Sequence, residues 1–466
     1  MKKFLTFFLF FAAFVMANAQ MEITVVPVKA DFDSLVLQDF NGLKYSDLKI
    51  IKANKKNTWV FKDKNSLHPG VYRLQADTNV VAEILISDDK NQKIKVLLTD
   101  SGVVFDNNPE NNANLAYHKR MDFFGKQMEQ MNKELMELQK STLPDYMKQN
   151  TFNNLRERYQ KHEKDKAAYL AELQEQYQGT LLASIVRMNT ELPPAPQQCY
   201  QNQALMNRFV VEHTFDYYPF DDERLVKCEA ASRMIKQYAT TLYYSFDESG
   251  GVPYLKSLMA KLNTKSRKVY EFFFDNLEKS VGTLTSPFFT EPLYIAMLKD
   301  AVQLPDLEHA RKVRYERQLS LLDKNLKGSI LPNFKIKLSN DSLTDLYSVE
   351  SEFMLLYFQN PDCPTCTQVR EEMAGMTVLN EAIASGKLTV LTVYFEEDEA
   401  LWRRYLKNKA NPDYLHGWDY LHEIETNELF DLRIIPYVFL LDKDKRVIKK
   451  DLLHNEIESY IKEYVK

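Results

Sequence analysis

Cysteine is scarce in this chain, with four in 466 residues, at positions 199, 228, 363 and 366. That is too few for a fold stapled by disulfides, and only one close pair exists. A zinc site built on two Cys-x-x-Cys knuckles is therefore absent, and Cys363 and Cys366 would need two further ligands from elsewhere to hold the metal. Glycine is low too, at 12 residues, which fits a helix-rich body. An excess of positive charge is also missing: the net charge is −5 and the isoelectric point near 6.0, which argues against nucleic acid as a partner. Beyond the first twenty residues no stretch is long and apolar enough to anchor the chain in a bilayer. No internal repeat and no low-complexity tract stands out.

What is present is ample core. Hydrophobic residues make up 45% and charged residues 27%, ordinary values for soluble domains, and the length suits about three domains of roughly 150 residues. The chain opens with Met1-Lys-Lys, an apolar run from Phe4 to Val15 and a small-residue site at Ala17-Asn-Ala19. Basic start, short apolar core and small residues are the pattern of a cleaved secretory leader. Residues 1–19 are therefore expected to be removed, leaving a mature chain from Gln20 in the periplasm or another extracytoplasmic space. Disulfides persist there, so Cys199 and Cys228 would either pair or remain as small buried apolar side chains.

The most informative stretch is Phe353-Met-Leu-Leu-Tyr-Phe-Gln-Asn-Pro-Asp-Cys-Pro-Thr-Cys366. An apolar run of strand length ends in a turn signal, and two cysteines open a helical segment. Cys363 is placed at a helix N-terminus, where free backbone N–H groups and the helix dipole favour a thiolate. Pro364 suits the first helical turn. Cys366 follows about one turn on, in reach of a mixed disulfide formed by Cys363. Downstream, Leu432 to Leu441 reads as a strand with Ile435-Pro436 at its entrance, where a proline is tolerated, and Asp442-Lys-Asp-Lys-Arg446 as the turn after it.

Cys-Pro-Thr-Cys after a strand, Ile-Pro before another and the turn that follows resemble a thioredoxin-fold domain. The leading segment Gly328-Ser-Ile-Leu-Pro-Asn-Phe-Lys-Ile-Lys-Leu338 resembles the TlpA-like extracytoplasmic thiol reductases. The resemblance implies a catalytic pair Cys363 and Cys366. It also implies a cis Pro436 that, with Ile435, presents backbone to an extended substrate. It implies no bound cofactor, disulfide-containing exported proteins as clients, and a membrane thiol reductant as electron donor. Two positions depart from the pattern. Where thioredoxins carry a buried aspartate, six positions before the first cysteine, stands Tyr357, and where many TlpA-like reductases place a glutamate, three positions after the second cysteine, stands Val369. Glu371 and Glu372 are read as a solvated helix face, and Asp362 opposes thiolate formation unless it points to solvent. The alternative reading is a binding protein whose thioredoxin-like domain has become inert.

The rest of the chain divides by period. Residues 20–108 alternate in short runs, from Glu22–Val28 to Lys93–Leu98, which predicts a small β-sandwich with Trp59 and Phe61 in its core. Residues 109–325 read as an all-α domain, a helical hairpin followed by a bundle. Met121, Phe124, Met128, Met131, Leu135 and Leu138 form the seam of its first helix. Phe152, Leu155, Tyr159, His162, Lys166, Tyr169 and Leu173 form that of a second, predicted from about Thr151 to Asn189. Asn107–Asn112 and Phe215–Leu225 resemble the uncharacterised domain DUF5106, over about 21–325, and Asp221 to Arg224 read as an acidic helix start. Leu326 to Leu331 is expected to be a hinge into an α/β thioredoxin-like domain at 326–466. Within that domain, Pro412, His416, Gly417 and Trp418 are expected to form a helix or loop near the site, with His416 and His422 at the surface or capping.

Overall fold

A computed structural model describes residues 20–28, 32–89, 91–247 and 249–465, so the expected leader at 1–19 lies outside the described residues. The chain divides into two compact units, one ending at Thr290 and one beginning at Glu291. No helix among the described residues is long and apolar enough to cross a membrane.

The first unit opens with eight strands: β1 (Gln20–Pro27), β2 (Ser34–Phe40), β3 (Tyr45–Lys52), β4 (Trp59–Asp63), β5 (Gly70–Ala76), β6 (Asn79–Ile86), β7 (Asn91–Thr99) and β8 (Gly102–Asp106). They form two four-stranded sheets, β4-β1-β7-β8 and β3-β2-β5-β6. One core holds Ile23, Trp59, Phe61, Val96 and Phe105 from the first sheet with Leu35, Leu37, Leu74 and Ile84 from the second. Alternation along each strand makes this possible, since every second side chain faces the partner sheet. The strand Gly102–Asp106 was not among the expected runs. It is brief, and its pairing with β7 rather than its own pattern defines it.

Two long helices follow, α1 (Pro109–Lys140) and α2 (Asp145–Gln176), then α3 (Leu181–Met188). Asn108 caps α1 through the Asn111 N–H. The α1–α2 seam buries Met131, Leu138 and Leu155, while Phe152 and Tyr159, expected in it, are exposed. The second helix starts earlier than expected: Pro144 stands at its N-cap position without a side-chain cap, and its carbonyl accepts the Met147 and Lys148 N–H groups. It also stops short, because Gly179 takes a positive φ of 80° and a new helix is capped by Thr180. Asp222 caps a short 3-10 turn, Glu223–Lys227, and also binds Ser184 and Arg224, so Asp222 is structural. Cys199 and Cys228 are both free and buried; burial pushes the Cys228 thiol up to about 11. The unit is completed by α4 (Gln203–His213), α5 (Glu229–Ser245), α6 (Val252–Leu262) and α7 (Arg267–Leu277).

The second unit begins with α8 (Glu291–Ala301) and α9 (His309–Leu322). It continues with β9 (Lys335–Leu338), β10 (Leu343–Asp345), β11 (Phe353–Phe358), α10 (Pro364–Ala374), α11 (Thr377–Ala384) and β12 (Leu388–Tyr394). Next come α12 (Glu399–Asn408), β13 (Leu415–Trp418), the one-turn α13 (Glu423–Thr426), β14 (Tyr437–Asp442), β15 (Val447–Lys449) and α14 (Ile457–Tyr464). The seven strands form one mixed sheet, β10-β9-β13-β12-β11-β14-β15. Strands β11, β12 and β13 run parallel, and β14 is antiparallel to β11. Core residues cover both faces of the sheet.

The expected hinge is tied to β15 and its turn by Gly328 N–H to Val447 O, Leu331 N–H to Lys445 O and Val447 N–H to Ser329 O. The segment around His416 is neither loop nor surface. It is β13, inside the sheet between β9 and β12, and His416 is only 4% exposed. Its polarity hides a strand that is viable because each ring nitrogen finds a partner. Nδ1 accepts from Thr392 Oγ1 at 2.7 Å, and Nε2 donates to the Asn411 carbonyl at 2.8 Å, an assignment that follows from those partners. Gly417 makes room for the neighbouring strand, since a Cβ there would collide with Ile336 Cγ2.

Candidate active site

The Cys pair lies where β11 gives way to α10, at the carboxyl end of three parallel strands, the end where open α/β sheets place their sites. Asn360 sets the turn: its side chain accepts from Asp362 N–H at 2.8 Å and its carbonyl from Cys363 N–H at 3.1 Å. Cys363 is the N-cap of α10, and its Sγ accepts the Cys366 N–H at 3.2 Å. A sulfur thus occupies the position of the usual capping oxygen, receiving one of the unpaired N–H groups of the first turn. Cys363 is partly exposed and Asp362 exposed, while Cys366 is fully buried. Burial, and then the neighbouring Cys363 sulfur, push the Cys366 thiol up to about 12.

The Ile435–Pro436 bond is cis. Antiparallel pairing sets Tyr437 opposite Phe358, so Pro436, at the entrance of β14, stands at the same end of the sheet as the exit of β11. Just upstream, Arg433 makes two bonds to Asp431, of 2.7 and 2.6 Å.

The substitutions noted in the sequence take definite roles. Tyr357 is fully buried and its hydroxyl donates to the Cys366 carbonyl at 2.9 Å; desolvation raises its pKa well above the usual phenol value. Val369 joins the core under α10. Glu372 is engaged with Gln368 and His454, and Glu371 is exposed. His422 sits at the N-cap position of α13 with a positive φ of 54°, and that turn is capped by buried Asp419, which accepts from Glu423 and Ile424 N–H.

Sequence reasoning missed Arg370. It is 9% exposed and lies one turn past Cys366 on α10. Its guanidinium bonds Gln359 Oε1, bonds Thr367 Oγ1 at 2.9 Å and lies 5.0 Å from the centroid of the Tyr405 ring. The Tyr405 hydroxyl in turn lies 3.4 Å from His416 Nδ1. The available signal was the four-residue spacing from Cys366, which puts both side chains on one helix face. Among the described residues no cluster of His, Cys, Asp or Glu is arranged to hold a metal ion.

Comparison with known proteins supports the thioredoxin-like fold. The family model described as "Domain of unknown function (DUF5106)" matches residues 147–325, narrower than the expected 21–325 and running across the division at Thr290. A thioredoxin-like protein from Bacteroides caccae is similar at 27% identity and a TM-score of 0.55, over 59% of this chain and 99% of its own. The C-terminal domain of an uncharacterised Bacteroides fragilis protein is similar at 33% identity, TM-score 0.29, over 30% of this chain and 98% of its own. The thioredoxin domain of a Bacteroides vulgatus thiol-disulfide oxidoreductase is similar at 16% identity, TM-score 0.26, over 30% and 99%. No curated protein matches.

Proposed function

We propose that this chain, a thioredoxin-fold protein that contains a DUF5106 region, is an extracytoplasmic thiol–disulfide oxidoreductase that reduces or isomerises disulfides of exported proteins. The observation that carries the reading is the placement of two sulfurs. Cys363 is partly exposed and accepts a helix N-terminal N–H, while Cys366 waits behind it within the first turn. The thiolate form of such a sulfur is the nucleophile.

The chemistry balances as a two-electron exchange. The Cys363 thiolate attacks one sulfur of a client disulfide, forming a Cys363–client bond and releasing a client thiolate. Cys366, after losing its proton, attacks Cys363 Sγ. The mixed disulfide breaks, the Cys363–Cys366 disulfide forms, and the second client thiolate leaves and is protonated. The client has gained two electrons and the dithiol has lost them. Ile435 and Pro436, at the same end of the sheet, present backbone to the client, and a membrane thiol reductant returns the dithiol to its reduced form. The basic, apolar and small-residue pattern of residues 1–19 supports export.

The test is a trap. With Cys366→Ser, resolution is blocked, and mixed disulfides between Cys363 and exported proteins accumulate in cells quenched with acid and alkylated. They are absent in the Cys363→Ser variant. A well-expressed Cys366→Ser protein that carries no adducts would overturn the catalytic reading.

A further inference from the structure

We propose that Arg370 is the group that readies Cys366 for the resolving step, a buried cation serving where a dithiol site of this kind would otherwise use a carboxylate. The inference rests on the oxidoreductase reading above. Its starting point is a charge without a counter-ion. The Arg370 guanidinium is almost completely buried, and its partners among the described residues are neutral: the Gln359 amide oxygen, the Thr367 hydroxyl and the Tyr405 ring. A buried cation held only by neutral groups is costly, and a fold that keeps one gains most when an anion forms nearby. On α10 the group one turn away that can become an anion is Cys366.

The nearby tyrosines and histidine do not serve as a base for Cys366. Tyr357 of β11 is committed to donating to the Cys366 carbonyl, and burial keeps both it and Tyr405 of α12 protonated. His416 of β13 has its Nδ1 taken by Thr392 and its Nε2–H by Asn411, and burial keeps it neutral. Burial and the neighbouring Cys363 sulfur work against the Cys366 thiolate, while the Asn360 backbone and, less strongly, the positive charge of Arg370 pull the other way. In the step itself Cys366 gives its proton to solvent, attacks Cys363 Sγ and expels the client thiolate, which takes a proton up. Arg370 is a positioning residue here: it stabilises the attacking sulfur and does not bond the client.

The test uses the full chain, reduced, mixed with excess dithiobis-nitrobenzoate, whose released thiolate is coloured. The first burst reports attack by Cys363, and the second release reports resolution by Cys366, identified by its loss in Cys366→Ser. Below the thiol pKa, each unit of upward shift cuts the thiolate fraction about tenfold and raises its nucleophilicity about threefold, so the second phase slows about threefold per unit. Arg370→Met is expected to slow that phase and move its pH profile upward, with Arg370→Lys restoring part of both. Gln359→Glu sets a carboxylate against the guanidinium without removing it. It is expected to shift the profile the same way in a protein that melts no lower than wild type, so the prediction stands even if Arg370→Met fails to fold. An unshifted profile in Gln359→Glu, or in folded Arg370→Met, would assign Arg370 a packing role only. A wild-type protein without a second phase would instead sink the oxidoreductase reading itself.

Discussion

At Gly417 the absence of a side chain is what lets β9 and β13 pair, because a Cβ would press on Ile336, a fully buried core residue with no room to turn. Gly417→Ala should therefore lower unfolding stability by about 1–3 kcal/mol, the usual range for overpacking; urea titration reads it, and an unchanged midpoint would contradict the close approach. One position away, His416 couples the same strand to pH. Burial holds its folded pKa below the ordinary value, while in the unfolded chain it titrates near about 6.5. Below that pH the unfolded state takes up a proton that the folded state refuses, so stability is lost as pH falls. Asp419, Glu291 and Asp451 act with the opposite sign, since burial raises their folded pKa values, and a single-site comparison is needed. The stability advantage of wild type over His416→Asn should shrink between about pH 7.5 and about pH 5, and a constant difference would contradict the assignment. The Cys pair was legible because spacing and a flanking strand define it. His416 and Arg370 were not, because their burial depends on which strands become neighbours.

Among the elements, the long helices were legible from their apolar period and their ends less so, since Pro144 and Gly179 act through backbone geometry. The least legible pair is α8 and α9. Their amphipathic pattern requires a partner face without saying which unit supplies it. In the structure they are fastened to the sheet by Lys450, whose ammonium meets the Glu291 carboxylate at 2.6 Å and the carbonyls of Leu322 and Lys324 at 3.0 and 3.1 Å. Arg317 adds a paired contact to Glu428, in the segment leading to Pro436. The Lys450 side chain is 12% exposed and that of Glu291 18%, so the pair is better shielded than a surface one. Lys450→Ala leaves the carboxylate and two carbonyls without their donor. It should cost about 2 kcal/mol, short of the 3–5 kcal/mol for a fully buried pair. A loss under about 0.5 kcal/mol, the surface value, would show that α8 is not fastened there.

For the molecule as a whole, the expected boundary at 325/326 and the compact unit beginning at Glu291 make different predictions. A fragment of residues 291–466 keeps the partners of Lys450, Glu428 and Leu429, whereas 326–466 loses them. The longer fragment should unfold cooperatively and at a higher temperature, and equal melting of the two would restore the later boundary. The order of sandwich, helices and thioredoxin-like sheet was readable from period and motif. The division at Thr290 was not, because it falls within a run of helices of similar composition. The central claim concerns the dithiol and is tested most directly by its equilibrium with glutathione. Purified full-length protein is brought to balance across a series of reduced and oxidised glutathione mixtures, quenched with acid, alkylated and mapped by mass. A single two-electron transition between free thiols and a Cys363–Cys366 disulfide, with Cys199 and Cys228 unchanged throughout, is the predicted result. Persistence of free Cys363 and Cys366 under the most oxidising mixture, or a glutathione adduct on Cys363 that Cys366 never resolves, would contradict it.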